Sequence, residues 1–246
     1  MEPILVQTPL VTAPYTGPDG KATPWGVLRL AMNAAAAHSK IISADWETLA
    51  EKGLIWVVIR HKLVVERYPQ DGETITIETW PMPTARTAYP RAAIAYDEKG
   101  NVIFRLVSLW VLVDIHKRKM VLPEKTGVDV AGILRGCELE LPTKVTPQNL
   151  KNVFRRVVAE QDIDRNQHMN NARYVMWITD MLPAEFWAEH TPKEWVVCYV
   201  AEAKLGQELT LYWELSEAGD LLVDGRREAA DGTGESVRVF SAKVSF

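Results

Sequence analysis

The order of apolar and polar residues predicts two helices at the start of the chain. Residues 25–38 are rich in Leu, Met and Ala and almost uncharged, which is typical of a helix buried on most sides. Thr23 and Pro24 precede this stretch as a favourable N-cap residue and first helical residue. A short exposed helix is expected over residues 45–52, where Gly53 would end it.

From residue 54 onwards the periodicity is that of strands. Residues 74–80 alternate polar and apolar side chains, as a half-buried strand does. Residues 88–96 and 102–114 predict two strands joined by a polar, glycine-containing hairpin loop. Residues 55–59 and 62–67 are expected to form two separate strands. The first half therefore predicts one buried helix followed by a long antiparallel sheet.

The second half repeats this order in outline. After an irregular connector and a strand over residues 153–158, an apolar helical stretch covers residues 172–182. Further strands are expected over residues 195–197, 209–215, 221–228 and 236–246. Two tandem copies of a helix followed by a sheet indicate a pseudo-dimer of similar modules.

We therefore predict an α+β fold of the double hot-dog type, in which each antiparallel sheet wraps one helix. The predicted boundaries are an N-terminal module over residues 1–135, a connector over residues 136–152 and a C-terminal module over residues 153–246. The internal pairing closes one interface already, so a monomer and a homodimer both remain open.

Composition and charge fit an ordinary globular protein. Of 246 residues, 47% are apolar and 24% are charged, and the net charge of −4 gives no basic footprint for nucleic acid. Cys137 and Cys198 form neither a disulfide framework nor a metal-binding pattern. We therefore expect a cytoplasmic protein with no metal and no cofactor. The N-terminus does not resemble a signal peptide, and no apolar run approaches the roughly 18 residues of a membrane span.

A dense polar stretch lies directly before the second predicted helix. Residues 162–171 contain two carboxylates, four carboxamides and a histidine, which are costly to bury unless they are hydrogen-bonded or used. His168 is the strongest catalytic candidate, because imidazole titrates near neutrality. Asn170 and Asn171 would begin the helix, whose free N–H groups can stabilise an oxyanion. The structural alternative is that His168 only ties the loop down.

Asp164 and Asn166 alternate with His168 along the sequence. In an extended loop these three side chains would point into one cavity, whereas Arg165 and Gln167 would point outwards. Asn166 could then position a water or a carbonyl group, and Asp164 could orient Asn166 or His168 as the third member of a triad does. An ordinary loop carboxylate is the alternative for Asp164.

Glu202 is the remaining candidate. It lies among Val and Ala in a predicted strand, where burial could make it a general base. Its alternative role is that of a solvent-facing carboxylate paired with Lys204. Cys198 lies in an apolar run and is expected to be inert core.

These residues resemble a known family. Residues 162–177 read Asp-Ile-Asp-x-Asn-x-His-Met-Asn-Asn-x-x-Tyr-Val-x-Trp, which resembles the signature of acyl-[acyl-carrier-protein] thioesterases, enzymes that release fatty acids. Residues 68–80 and 110–119 are similar to segments of the family's first module. The resemblance covers nearly the whole chain and implies the same double hot-dog fold.

The resemblance also assigns roles at the site. It places the family's catalytic Asp, Asn and His on Asp164, Asn166 and His168, and its Glu on Glu202. The family's next residue is Cys, whereas Ala203 stands here, which excludes a Cys nucleophile at this position. The implied mechanism is attack by water with Glu202 as the base.

The implied function is hydrolysis of fatty acyl thioesters with acyl carrier protein as the partner. The N-terminal module would then form the wall of the acyl pocket, through Trp25, Leu28, Met32 and Trp56. The basic candidates for meeting an acidic carrier are Arg155, Arg156, Arg165 and Arg173. An acyl-CoA thioesterase on the same fold and a non-catalytic acyl-binding module, which Ala203 favours, remain the alternatives. A hot-dog dehydratase fits this cluster less well.

Overall fold

The chain folds into two compact units, the first ending at Pro142 and the second beginning at Thr143. The structure is a computed structural model and describes residues 4–136, 139–229 and 234–246. Cys137 therefore lies outside the described residues.

The first unit is an antiparallel sheet that carries one long helix. Its elements are β1 (Leu5–Gln7), α1 (Pro24–Ile41), α2 (Trp46–Glu51), β2 (Leu54–Val65), β3 (Thr76–Pro81), β4 (Tyr89–Tyr96), β5 (Val102–Asp114), β6 (Lys119–Val121) and α3 (Pro123–Thr126). The strands run in the order β1-β3-β4-β5-β2, and β6 pairs with β5. The helix α1 packs on the face of this sheet formed by β3 and β4.

The start of α1 confirms the prediction from Thr23 and Pro24. Thr23 is the N-cap, and its Oγ1 accepts a hydrogen bond from the Gly26 N–H at 3.0 Å. Gly26 is required by packing, because an added Cβ would lie 2.0 Å from the backbone oxygen of Tyr15. Leu28 and its helical neighbours on the same face are buried in the core.

The predicted break between two strands at residues 60–61 is wrong. These residues belong to one continuous strand, β2, which pairs with β5 throughout and contains a register shift between Val58 and Arg60. A β-bulge adds one residue to a strand and so disturbs the alternation without ending the pairing.

The second unit repeats this architecture. Its elements are β7 (Asn152–Val157), α4 (Asn171–Asp180), α5 (Ala184–Glu189), β8 (Glu194–Tyr199), β9 (Glu208–Leu215), β10 (Leu221–Glu228) and β11 (Ser236–Ser245). The strands are antiparallel in the order β8-β11-β10-β9-β7. Helix α4 packs on the sheet through Tyr174, whose ring centroid lies 4.7 Å from that of Phe240. The predicted α+β, double hot-dog fold is confirmed.

The segment that leads into β7 is fixed to the sheet by side chains. The Val145 N–H donates to Cys198 Sγ at 3.3 Å, and Ser241 Oγ donates to the Val145 oxygen at 2.7 Å. Arg238 Nη2 donates to the Pro147 oxygen at 3.3 Å. Cys198 is buried, as expected, and contributes to this attachment. Among the described residues, no helix combines the length and the apolarity needed to cross a bilayer.

Candidate active site

The polar stretch before α4 forms a tight turn. The Asp164 N–H donates to the His168 oxygen, and the Gln167 N–H donates to the Asp164 oxygen, both at 3.0 Å. Gln167 has a φ of 64°, as the last residue of a three-residue hairpin loop often does. The expected extended backbone is therefore wrong at this point, and alternation along it does not decide which side chains share a cavity.

Asn166 lies at the exposed tip of the turn with Arg165 and Gln167. The prediction that Asn166 points into a cavity while these two neighbours point outwards is therefore wrong. Its backbone N–H donates to Asp164 Oδ1 at 2.8 Å. The Asp164 carboxylate thus stabilises the turn and orients Asn166 through its backbone.

His168 and Glu202 form the central pair of the site. Their Nε2 and Oε2 atoms lie 2.9 Å apart, and the two side chains are 19% and 40% exposed. Glu202 lies three residues beyond the end of β8 at Tyr199, so its expected placement in a strand and its expected burial are both wrong. The apolar neighbours that suggested a strand here do not cover the carboxylate.

The segment that carries Glu202 is tied to its surroundings by backbone hydrogen bonds. The N–H groups of Val200 and Ala201 both donate to the Val239 oxygen, at 2.8 and 3.1 Å. The Met169 N–H donates to the Ala203 oxygen at 2.8 Å, and Ala203 is fully buried. This last bond joins the residue after His168 to the residue after Glu202, so it fixes the spacing of the central pair.

The start of α4 lies beside this pair. Asn170 is the N-cap, and its Oδ1 accepts from the Ala172 N–H at 3.0 Å. The Asn171 oxygen accepts from the Tyr199 hydroxyl at 3.1 Å. Burial raises the pKa of Tyr199 and of Tyr174 well above the usual range, so both phenols remain protonated near neutral pH.

Asp162 belongs to the same motif and received no role from the sequence. It is 1% exposed, its Oδ2 accepts from the Ala159 N–H at 3.1 Å, and its Oδ1 accepts from the Trp177 indole N–H at 3.3 Å. Its backbone oxygen accepts from the Asn170 N–H at 2.8 Å. Asp162 therefore connects three parts of the chain by hydrogen bonds: the segment before the turn, the N-cap of α4 and the buried indole of α4.

The four predicted acyl-pocket residues lie in the first unit. Leu28 is buried on α1, whereas Trp25 and Met32 on the same helix are partly exposed. The Trp56 indole N–H donates to the Ala44 oxygen at 2.7 Å, and its ring meets Tyr89 edge-on at 5.0 Å. Trp56 thus belongs to an aromatic cluster on β2 and β4. Contact of these four residues with an acyl chain stays a prediction.

Among the basic candidates, Arg156 and Arg173 contact side chains of α4. Arg156 forms a 2.5 Å ion pair with Asp180 and lies 4.9 Å above the Trp177 ring. Arg173 Nη1 contacts Met176 Sδ at 3.0 Å. Arg155 and Arg165 are exposed.

The pair of His168 and Glu202 can accept and donate protons at the entrance to a helix N-terminus, which is what hydrolysis of an activated acyl group requires. In the part of the chain that the structure describes, no group of three or more His, Cys, Asp and Glu side chains is arranged to hold a metal ion.

Comparisons with known proteins identify one family. The model of the acyl-ACP thioesterase N-terminal domain matches residues 15–126, and that of the C-terminal domain matches residues 146–236. A dodecanoyl-[acyl-carrier-protein] hydrolase from Cinnamomum camphora is 27% identical over 222 residues, which cover 82% of this chain and 58% of that protein. A palmitoyl-acyl carrier protein thioesterase from Gossypium hirsutum is 26% identical over 58% of this chain and 37% of its own length. The chain thus spans less than two thirds of these curated relatives.

Solved structures share the fold over the whole chain. An acyl-ACP thioesterase from Bacteroides thetaiotaomicron superposes with a TM-score of 0.85 at 24% identity, covering 99% of this chain and 97% of that one. A 12:0-ACP thioesterase from Umbellularia californica gives a TM-score of 0.81 at 21% identity, covering 100% and 97%. The two family models account for most of the length of the chain, and the chain therefore belongs to the acyl-ACP thioesterase family.

Proposed function

We propose that this protein hydrolyses fatty acyl thioesters carried by acyl carrier protein and releases the free fatty acid. The family models support the reaction type, because both halves of the chain match in order. The names of the curated relatives support the carrier, since they are hydrolases and thioesterases of acyl carrier protein. The single observation that carries the proposal is the 2.9 Å contact between His168 and Glu202 on the turn and segment beside α4.

In the proposed mechanism, a water molecule attacks the thioester carbonyl carbon. Glu202, oriented by His168, accepts the proton that the water loses. The tetrahedral intermediate then collapses, the carbon–sulfur bond breaks, and the departing thiolate receives a proton from the His168–Glu202 pair. Ala203 offers no thiol, so no covalent acyl-enzyme is formed at that position.

The oxyanion of the intermediate needs a hydrogen-bond donor at the start of α4. The Asn170 N–H already donates to the Asp162 oxygen, and the Ala172 N–H donates to the Asn170 side chain. We therefore assign the role to the Asn171 N–H, at the first position of the helix, where the helix dipole also favours negative charge.

The turn supports these groups. Asp164 holds the turn closed through the Asn166 N–H, which fixes the backbone that leads to His168. The Asn166 carboxamide, exposed at the tip, is assigned the role of positioning the water or the thioester carbonyl as the substrate arrives.

The test is thiol release from a long-chain acyl-carrier-protein thioester by the variants H168A and E202A. We expect kcat to fall by about 100-fold or more in each, because each removes a proton-transfer group. The matched controls are H116A and E217A, which remove an exposed His and an exposed Glu elsewhere. Near-wild-type rates in folded H168A and E202A would exclude this mechanism.

The same assay separates the remaining functions. In a competition between acyl-carrier-protein and acyl-CoA thioesters of one chain length, we expect the carrier-protein substrate to be consumed first. A preference for acyl-CoA would indicate that acyl-CoA is the substrate. Stoichiometric binding of the acyl group without thiol release would indicate a non-catalytic acyl-binding module.

A further inference from the structure

Arg227 connects β10 with the segment that carries Glu202. Its Nε–H donates to the Glu202 backbone oxygen at 3.3 Å, and its Nη1 donates to the Glu228 oxygen at 3.0 Å. Both acceptors are neutral carbonyl groups, so these bonds fix the guanidinium in place without neutralising its charge.

The Glu202 backbone lies where the regular sheet has ended. β8 stops at Tyr199, and the neighbouring ties are backbone bonds on either side, from Val200 and Ala201 to Val239 and from Met169 to Ala203. The bond from Arg227 acts between these ties, at Glu202 itself. A side chain near the end of β10 therefore adds a tie at the residue that carries the carboxylate.

The charge of Arg227 also acts within the site. Burial is the main cause of the raised pKa of the Tyr174 phenol, and the charges of Glu202 and Asp164 raise it further, whereas the charge of Arg227 lowers it. These three charged side chains are therefore close enough to one buried phenol to act on it together.

We infer that Arg227 is a positioning residue for the reaction: it holds the Glu202 backbone and places a positive charge beside the His168–Glu202 pair. This inference rests on the proposed function, because it assigns Arg227 to the same hydrolysis. The assignment differs from a merely structural role, since loss of a positioning residue slows turnover without weakening substrate binding.

The test compares R227Q and R227K with R226Q in the full chain. Arg226 is the matched control, because it is adjacent on the same strand but pairs with Asp224, 2.8 Å from its Nε. For R227Q we expect kcat to fall by about tenfold, the effect of one hydrogen bond from a charged donor, with KM within about twofold of wild type. R227K keeps the charge and should recover part of kcat, whereas R226Q should leave kcat unchanged.

The outcomes are distinct. Wild-type kcat in folded R227Q, or an equal loss in R226Q and R227Q, would overturn the inference. If R227Q melts too low to assay, R227K decides: a severalfold loss of kcat at an unchanged melting temperature supports it, and an unchanged kcat overturns it. Wild-type protein that hydrolyses no acyl thioester would instead reject the proposed function.

Discussion

At the scale of single residues, the two carboxylates of the turn motif have different partners. Asp162 is buried and accepts hydrogen bonds from a backbone N–H and from the Trp177 indole. Asp164 is partly exposed and accepts from the N–H of a neighbouring turn residue. The first therefore supports the fold, and the second supports the site.

The variants D162N and D164N test this division. In D162N, one acceptor oxygen becomes an NH₂ group facing a buried donor, so we expect the free energy of unfolding to fall by about 1–3 kcal/mol. In D164N, stability should change little while turnover falls. Urea unfolding and thiol release measure the two effects, and a D162N protein as stable as wild type would contradict the assignment.

At the scale of elements, the Phe240 ring of β11 occupies the space that a side chain at Gly225 of β10 would need. This glycine lies opposite Phe240 in the strand pairing, beside a register shift. A Cβ added here would lie 2.0 Å from the Phe240 ring, which is fully buried and packs against Tyr174 of α4. The absence of a side chain at Gly225 thus leaves room for the Phe240 ring, which packs against α4.

We expect G225A to destabilise the protein by about 1–3 kcal/mol, because the core must shift to accept the methyl group. Thermal unfolding measures the effect. G219A is a control for alanine in a turn of the same unit, where an added Cβ meets open space and the cost arises from the positive φ of 84° alone. A melting temperature of G225A equal to that of wild type would contradict the close packing.

The elements also show what a sequence can predict. The start of α1 followed from Thr23 and Pro24, because capping depends on neighbouring residues. The turn at residues 164–168 did not follow, since it is closed by backbone hydrogen bonds and by an αL residue, Gln167, of a type that rarely adopts that conformation. Resemblance assigned Glu202 to the same site as His168, and the structure brings the two side chains to 2.9 Å. The exposure of Glu202 could not be predicted, because it depends on where β8 ends.

At the scale of the whole molecule, the first unit buries titratable side chains in its interior. The Arg91 guanidinium is 9% exposed and contacts His38 Nδ1 at 3.1 Å, and burial lowers its pKa to about 10. His61 lies 2% exposed on β2, and burial lowers its pKa from 6.5 to about 3. His61 is therefore neutral in the folded protein throughout the neutral and mildly acidic range.

The protein should consequently lose stability in mild acid. Below pH 6.5, His61 is protonated in the unfolded chain but stays neutral in the folded chain. The free energy of unfolding therefore begins to fall there, and the loss saturates near pH 3. From about pH 7 to about pH 5, we expect His61 to account for roughly 2 kcal/mol of lost unfolding free energy. Urea titrations of wild type and H61F measure this share, with H116F as an exposed-histidine control. Equal slopes for wild type and H61F would contradict it.

The turn before α4 has a consequence for how this protein can evolve. Its closure depends on backbone atoms and on Asp164, whereas Arg165 at the tip is exposed and has no part in the proposed reaction. Mutations at Arg165 can therefore change which macromolecules the protein meets while Asn166 and His168 keep their places. Selection can act on partner choice at the rim of the site separately from selection on the chemistry beneath it.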